Sequence, residues 1–152
     1  MTIRPTTRAD LAALQRLLEA TDLFPPELLP DMIGGFLDQA ADDELWLTYI
    51  AAGQPIGFCY AVQERLTDGT WNMLAIAVEP SEQGAGHGGS LLRHLEETLK
   101  QKGQRLLVVD TSGTDAFERI RAFYSKNGYD EEARIRDFWA LGDDKITFRK
   151  AL

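Results

Sequence analysis

Apolar and polar positions along this chain follow two periods, and each change of period marks an element. Thr2–Arg4 reads as a short strand. Leu11, Leu14, Leu17 and Leu18 then recur at helical spacing, behind a Thr7/Asp10 pair spaced like a capping box with Asp in place of Glu. The run "DLFPPELLP" breaks that helix. A second helix is predicted near Pro26, since proline fits a first turn, with Leu28, Leu29, Met32, Ile33, Phe36 and Leu37 as its apolar positions. Pro30 argues for a later true start. The middle turns to strands. "ELWLTYIAAG" ends at Gly53, "QPIGFCYAVQERL" follows a tight turn, and "WNMLAIAV" follows the turn at Asp68–Thr70. Short turns between them predict an antiparallel meander.

A helix with Leu91, Leu92, Leu95 and Leu99 on one face comes next, closed by Gly103, and then the apolar run Arg105–Asp110. Strand, helix and strand at this length make a βαβ unit with parallel strands. "TSGTDAF" leads into a further helix, capped by Ser112 or Thr114, with Phe117, Ile120, Phe123 and Tyr124 as its apolar face. Asn127-Gly128 ends it, and "YDEEARIRDFWAL", "GDD" and "KITFRKAL" read as strand, turn and strand. The fold class predicted is α+β: a mixed, mostly antiparallel sheet of about seven strands with about four helices and one parallel crossover, in a single domain over 1–152.

Composition narrows the function. The 152 residues are 44% hydrophobic and 26% charged, as in an ordinary globular chain. A net charge of −8 argues against nucleic acid as a partner. No window is apolar enough to span a membrane, and the polar start "MTIRPTTRAD" lacks a signal region, so the cytoplasm is the expected compartment. The single cysteine, Cys59, lies in an apolar run and reads as a buried thiol. The two histidines, His87 and His94, share no ligand spacing with cysteines or carboxylates, so no metal site is expected. His87 reads as an exposed loop residue acting through its backbone, and His94 as solvated.

The chemistry concentrates in "AVEPSEQGAGHGGSLL". Four glycines, Gly84, Gly86, Gly88 and Gly89, stand at the head of a helix. That position exposes unpaired N–H groups and the positive end of the helix dipole, and bare backbone lets a polyphosphate approach them. A Walker-type loop is excluded because no Gly-Lys-Ser/Thr occurs. A dinucleotide fingerprint would stand at the first strand rather than mid-chain.

This segment resembles the acyl-CoA-binding segment of the GNAT superfamily of N-acetyltransferases. Val78 and Pro80 stand at its strand end, and Gln83, Gly86 and Gly88 fill its Gln-x-x-Gly-x-Gly pattern. "AFYSKNGY" (Ala122–Tyr129) resembles the family's helix end, and "DFWALGDDKITFRK" its closing hairpin. The likeness runs from the first strand to the last. It implies acetyl-CoA as co-substrate, its pantetheine arm lying between the two parallel strands against the backbone of Ala77 and Val78. Gln83, Gly84, Ala85, Gly86, His87, Gly88 and Gly89 would hold the pyrophosphate, and Ser112 or Thr114 would touch CoA if not merely capping the helix. An N–H near Ile76 would polarise the acetyl carbonyl.

By the same resemblance Tyr124 would serve the departing thiolate, although periodicity alone makes it a core residue. The base is less defined. Many relatives carry Glu where this chain has Asn72, which orients water but takes no proton usefully; Glu64 is the alternative. The acceptor implied is a primary amine of a small molecule or peptide. Its cleft is expected between the first two helices, the turn Leu66–Thr70 and the hairpin tip Phe138–Asp143. Phe24, Trp46, Trp71, Phe138 and Trp139 are the aromatics within reach. Two other readings compete: a non-catalytic acyl-CoA-binding module, favoured by Asn72 and opposed by Tyr124, and an adaptor that forms a homodimer through its last strands.

Overall fold

A computed structural model describes residues 1–152. Seven strands, β1 (Thr2–Pro5), β2 (Glu44–Ala51), β3 (Gln54–Gln63), β4 (Thr70–Val78), β5 (Leu106–Ser112), β6 (Asp130–Ala140) and β7 (Asp143–Ala151), form one sheet in the order β1-β2-β3-β4-β5-β7-β6. Only β4 and β5 pair in parallel; every other neighbour is antiparallel. The helices are α1 (Leu11–Thr21), α2 (Leu29–Leu37), α3 (His87–Gln101) and α4 (Glu118–Lys126). The predicted α+β class and the single parallel crossover through α3 are therefore present. Pro26–Leu28 form a tight turn and α2 starts at Leu29, with Pro30 in its first turn.

Asp10 anchors the entry to α1. Its carboxylate accepts the fork of Arg4 at 2.7 and 2.9 Å and the Thr7 backbone N–H at 2.8 Å. Burial alone would raise the pKa of this acid, but these donors outweigh it and hold the carboxyl below its ordinary value.

Alternation along β3 divides the interior. Phe58 and Tyr60 face a core with α1 and α2, joined by Trp46, Leu14, Leu18 and Ile33. Cys59 and Ala61 face the opposite core, built on Leu91, Leu92, Leu95 and Leu99 of α3 with Trp71, Met73, Leu107 and Phe148. A clip closes the second core. Tyr129 Oη donates to Glu96 Oε2 at 2.6 Å, and Lys150 Nζ donates to Glu96 Oε1 at 2.9 Å.

Cys59 is fully buried, and burial pushes its thiol up to about 12. A raised acid stabilises the fold fully below its ordinary value of about 8.5, and that contribution drains as pH rises toward 12. At about pH 8 a thiol reagent is expected to leave Cys59 untouched in buffer and to label it once denaturant is added. Fast labelling of the native protein would contradict this placement.

Two features position the site. The β4–β5 ladder has three pairs only, Thr70↔Leu106, Trp71↔Leu107 and Asn72↔Val108, after which the strands part. On the other side of β4 the register slips. Ala61 faces Met73 and Tyr60 faces Ala75, so Leu74 is an extra residue, 53% exposed, in a bulge at the mouth of the gap.

The last third departs from expectation in two places. Of the apolar face predicted for α4, only Tyr124 is buried; Phe117 and Ile120 are exposed. Ser112 does not cap that helix from its end. It closes β5, donating to Asp143 Oδ1 at 2.5 Å and accepting the Thr114 N–H at 3.1 Å, while Thr114 is the N-cap of the short turn Asp115–Phe117 that precedes α4, its hydroxyl 2.9 Å from Ser112 Oγ rather than bonded to the turn's backbone.

Candidate active site

The gap between β4 and β5 is lined by backbone. Glu79 N–H donates to Ile56 O at 2.7 Å, which fixes the phase of the β3–β4 ladder. Ala77 then pairs with Phe58 through hydrogen bonds, whereas Ile76 and Val78 turn their N–H and C=O groups away from β3, toward the gap. This narrows the sequence expectation: Ala77 is buried with its backbone committed to β3, and the free groups belong to Ile76 and Val78. The Val78 carbonyl accepts Gln83 Nε2 at 3.0 Å, so Gln83 ties the glycine loop back onto the strand end.

Beyond Gln83 the chain turns through Gly84 (φ 84°) and Gly86 (φ 86°), values open to glycine at no cost, and Gly86 is the N-cap of α3. A cavity of about 650 Å³ opens on this turn. Ile76, Ala77, Val78, Gln83, Gly84, Gly86, His87, Gly88 and Gly89 all border it. Ala85 is exposed and borders neither cavity described here. His87 is not the exposed loop residue expected. It is the first residue of α3, its Nδ1 lies 3.1 Å from Tyr49 Oη, and its ring packs edge-on against Tyr49 at 5.0 Å. Two cations missed by sequence reading, Arg93 of α3 and Lys126 of α4, border the same cavity. Helix N-terminus, bare backbone and two cations suit a diphosphate. Replacing Arg93 and Lys126 together by Ala is expected to weaken coenzyme A binding roughly tenfold, less at high salt. Calorimetric titration at two ionic strengths checks this, and an unchanged Kd would make both cations bystanders.

An adjoining cavity of about 680 Å³ runs into the gap. Tyr124, Leu74 and Ile76 border it with Asp110, Ser112, Asp143, Phe117, Ile120, Phe123 and Trp139. The exposed apolar residues of α4 are therefore a cavity wall, which periodicity cannot tell from a core face. Tyr124 is 4% exposed, and burial, with Cys59 beside it, pushes its phenol well above the ordinary range. It is a neutral donor at any working pH. Of the aromatics expected around a cleft, Trp46 and Trp71 are core; Trp139 borders the cavity and donates Nε1–H to Thr111 O at 3.2 Å.

Asn72 and Glu64 come together but border neither cavity. Asn72 Nδ2 donates to Glu64 Oε1 at 3.0 Å and to Asp110 Oδ2 at 3.2 Å. Asp110 also accepts Thr147 Oγ1–H at 2.6 Å. Sequence reading took Asp110 only as the end of an apolar strand.

Comparison with known proteins finds the same fold. The family model described as the acetyltransferase (GNAT) domain matches residues 41–131. A crystal structure described as an acetyltransferase of the GNAT family, from Desulfovibrio desulfuricans, matches with a TM-score of 0.91 and 26% identity, over 99% of this chain and 98% of that one. The ribosomal-protein-S18-alanine N-acetyltransferase of Escherichia coli matches with a TM-score of 0.78 and 21% identity, over 99% and 92%. An aminoglycoside 6'-N-acetyltransferase in complex with coenzyme A matches with a TM-score of 0.77 and 20% identity, over 99% and 97%. No curated protein sequence matches the chain significantly. No helix is long and apolar enough to cross a membrane.

Proposed function

This chain belongs to the GNAT family of acetyltransferases, and on that premise we propose that it moves the acetyl group of acetyl-CoA to a primary amine of a small molecule or peptide by direct attack. The observation that carries the proposal is the parting of β4 and β5 beside a cation-flanked glycine loop. Acetyl-CoA supplies an activated thioester. Gly84–Gly89, Arg93 and Lys126 hold its diphosphate end, and Val78 and Ile76 offer strand backbone to its amide-bearing arm. The Ile76 N–H faces the gap where a carbonyl oxygen would need a donor. Tyr124, neutral and at the cavity wall, protonates the departing sulfur.

The acceptor must lose a proton, since an alkyl ammonium has a pKa of about 10.4. Sequence reading offered a water held at Asn72, or Glu64, for this step; the two share a hydrogen bond but border neither cavity, which leaves the step to a group on the cavity wall. A cavity that joins Phe117 and Trp139 to Asp110 and Asp143 suits a cationic amine with an apolar body. The named relatives act on an aminoglycoside and on a ribosomal-protein alanine. Release of free thiol from acetyl-CoA should therefore be measured with an aminoglycoside, an alanine-terminated peptide and a polyamine. Turnover of one of them is expected; no release with any, while acetyl-CoA binds, would remove this acceptor class.

A further inference from the structure

Asn72 is 7% exposed, and its amide donor is committed to two carboxylates, Glu64 and Asp110. Its Oδ1 is buried and has no partner. An amide oxygen left in that state costs stability unless something donates to it. The two carboxylates also fix which way the amide points: Nδ2 must face both of them, so Oδ1 must face away. Glu64 is thus tied to one end of the amide and does not border the cavity, whereas Asp110 does. Strand geometry explains the difference. Asn72↔Val108 is the last pair of the parallel ladder, and Asp110, two residues on, is the first side chain of that face of β5 beyond it. Thr147, its partner across β7, holds the second carboxylate oxygen at 2.6 Å.

We propose that Asp110 is the catalytic residue that takes the proton of the acceptor ammonium, with the amine nitrogen reaching its carboxylate from the cavity that Asp110 borders. The inference rests on the acetyl-transfer reading above and assigns a residue to its proton step. One N–H bond of the ammonium breaks, the proton goes to the Asp110 carboxylate, and the electron pair stays on nitrogen. That pair forms the C–N bond to the acetyl carbon as the C–S bond breaks; the sulfur takes a proton from Tyr124, and the second N–H proton, released as the amide forms, returns to the Tyr124 oxygen. Two donors on Asp110 leave each oxygen a further acceptor site, so the carboxylate is held in place yet open to the amine. Asn72 and Glu64 are positioning residues in this arrangement. The charged groups around Asp110 are Glu64 beyond Asn72, Lys145 and Arg149 on either side of Thr147 on β7, Asp143 at the start of β7, and Arg119 from α4, joined by the neutral but titratable Tyr124.

Asp110→Asn keeps the shape and removes the base. With n-butylamine, the simplest amine with an apolar body, its kcat/KM is expected to fall about a hundredfold near pH 7. The acidic limb of its pH profile should vanish, leaving a rate that follows the neutral fraction of the amine. Glu64→Gln should lower the rate but keep the limb. Thr147→Val should move the limb to higher pH, because losing a donor disfavours the ionised carboxylate. A second readout needs no acetyl-CoA: in protein carrying 13C-labelled Asp carboxyls, n-butylammonium should shift the signal that is absent from Asp110→Asn. A limb kept by Asp110→Asn, a limb erased by Glu64→Gln, or an unmoved carboxyl signal would each overturn the assignment. If the wild type binds acetyl-CoA but acetylates no amine, the transfer reading fails, and the carboxyl signal still decides whether Asp110 meets the amine.

Discussion

Tyr124→Phe is expected to lower turnover about a hundredfold while leaving the fold and the affinity for acetyl-CoA in place. The ring is fixed by aromatic neighbours, Phe123 at 5.3 Å, Tyr129 at 5.8 Å and Phe148 at 5.5 Å between centroids, and a phenyl ring keeps all three contacts. Only the hydroxyl is lost, and it belongs to a residue on the wall of the cavity that reaches the β4–β5 gap. A phenol raised this far stays protonated throughout the working range, so it can give a proton but cannot serve as a base. A thiol of pKa about 8.5 leaves fairly well unaided, which puts the loss at the low end of the range for a positioned acid. Steady-state kinetics with a matched melting curve checks this. Turnover equal to wild type would return Tyr124 to a packing role.

Gly88→Val is expected to abolish acetyl-CoA binding. A Cβ at Gly88 would lie 3.4 Å from the Phe123 ring, tighter than most such contacts, and a branched side chain would need still more room. Gly88 borders the loop cavity, and Phe123 borders both cavities. The added methyls therefore intrude on the cradle and push its neighbour into the gap. At a hundred times Kd the ligand stabilises the wild type by about 2.7 kcal/mol, or roughly 5–10 °C in Tm for a domain of this size. The variant should melt as a single folded species with no such shift. A normal shift in a folded Gly88→Val protein would move the cradle elsewhere.

Much of this was legible in the sequence, because the elements rest on local patterns. The leucine stripe of α3, the punctuating glycines and the short turns fix the helices and the meander without knowledge of contacts. The loop was legible because its chemistry is contiguous. Asp110 was not, since its partners Asn72 and Thr147 lie 38 and 37 residues away and meet it only through the strand order. Arg93 and Lys126 look like ordinary helix cations until α3 and α4 are set side by side. His87 meets Tyr49 across 38 residues of chain for the same reason. The α4 wall was misread because an apolar face has one pattern whether it meets protein or ligand.

The three-pair ladder between β4 and β5 has a consequence for the life of the protein. It is the one strand pairing that joins the plate β1–β4 to the plate β5–β7–β6. The plates are fastened at one corner, so amide exchange and protease attack are expected to enter at the open corner first. A molecule lying along the gap and bonded to β4 would rivet it shut. Acetyl-CoA, on the function proposed, is that rivet, and the protein's turnover by proteases would slow when its co-substrate is plentiful and quicken when it is scarce.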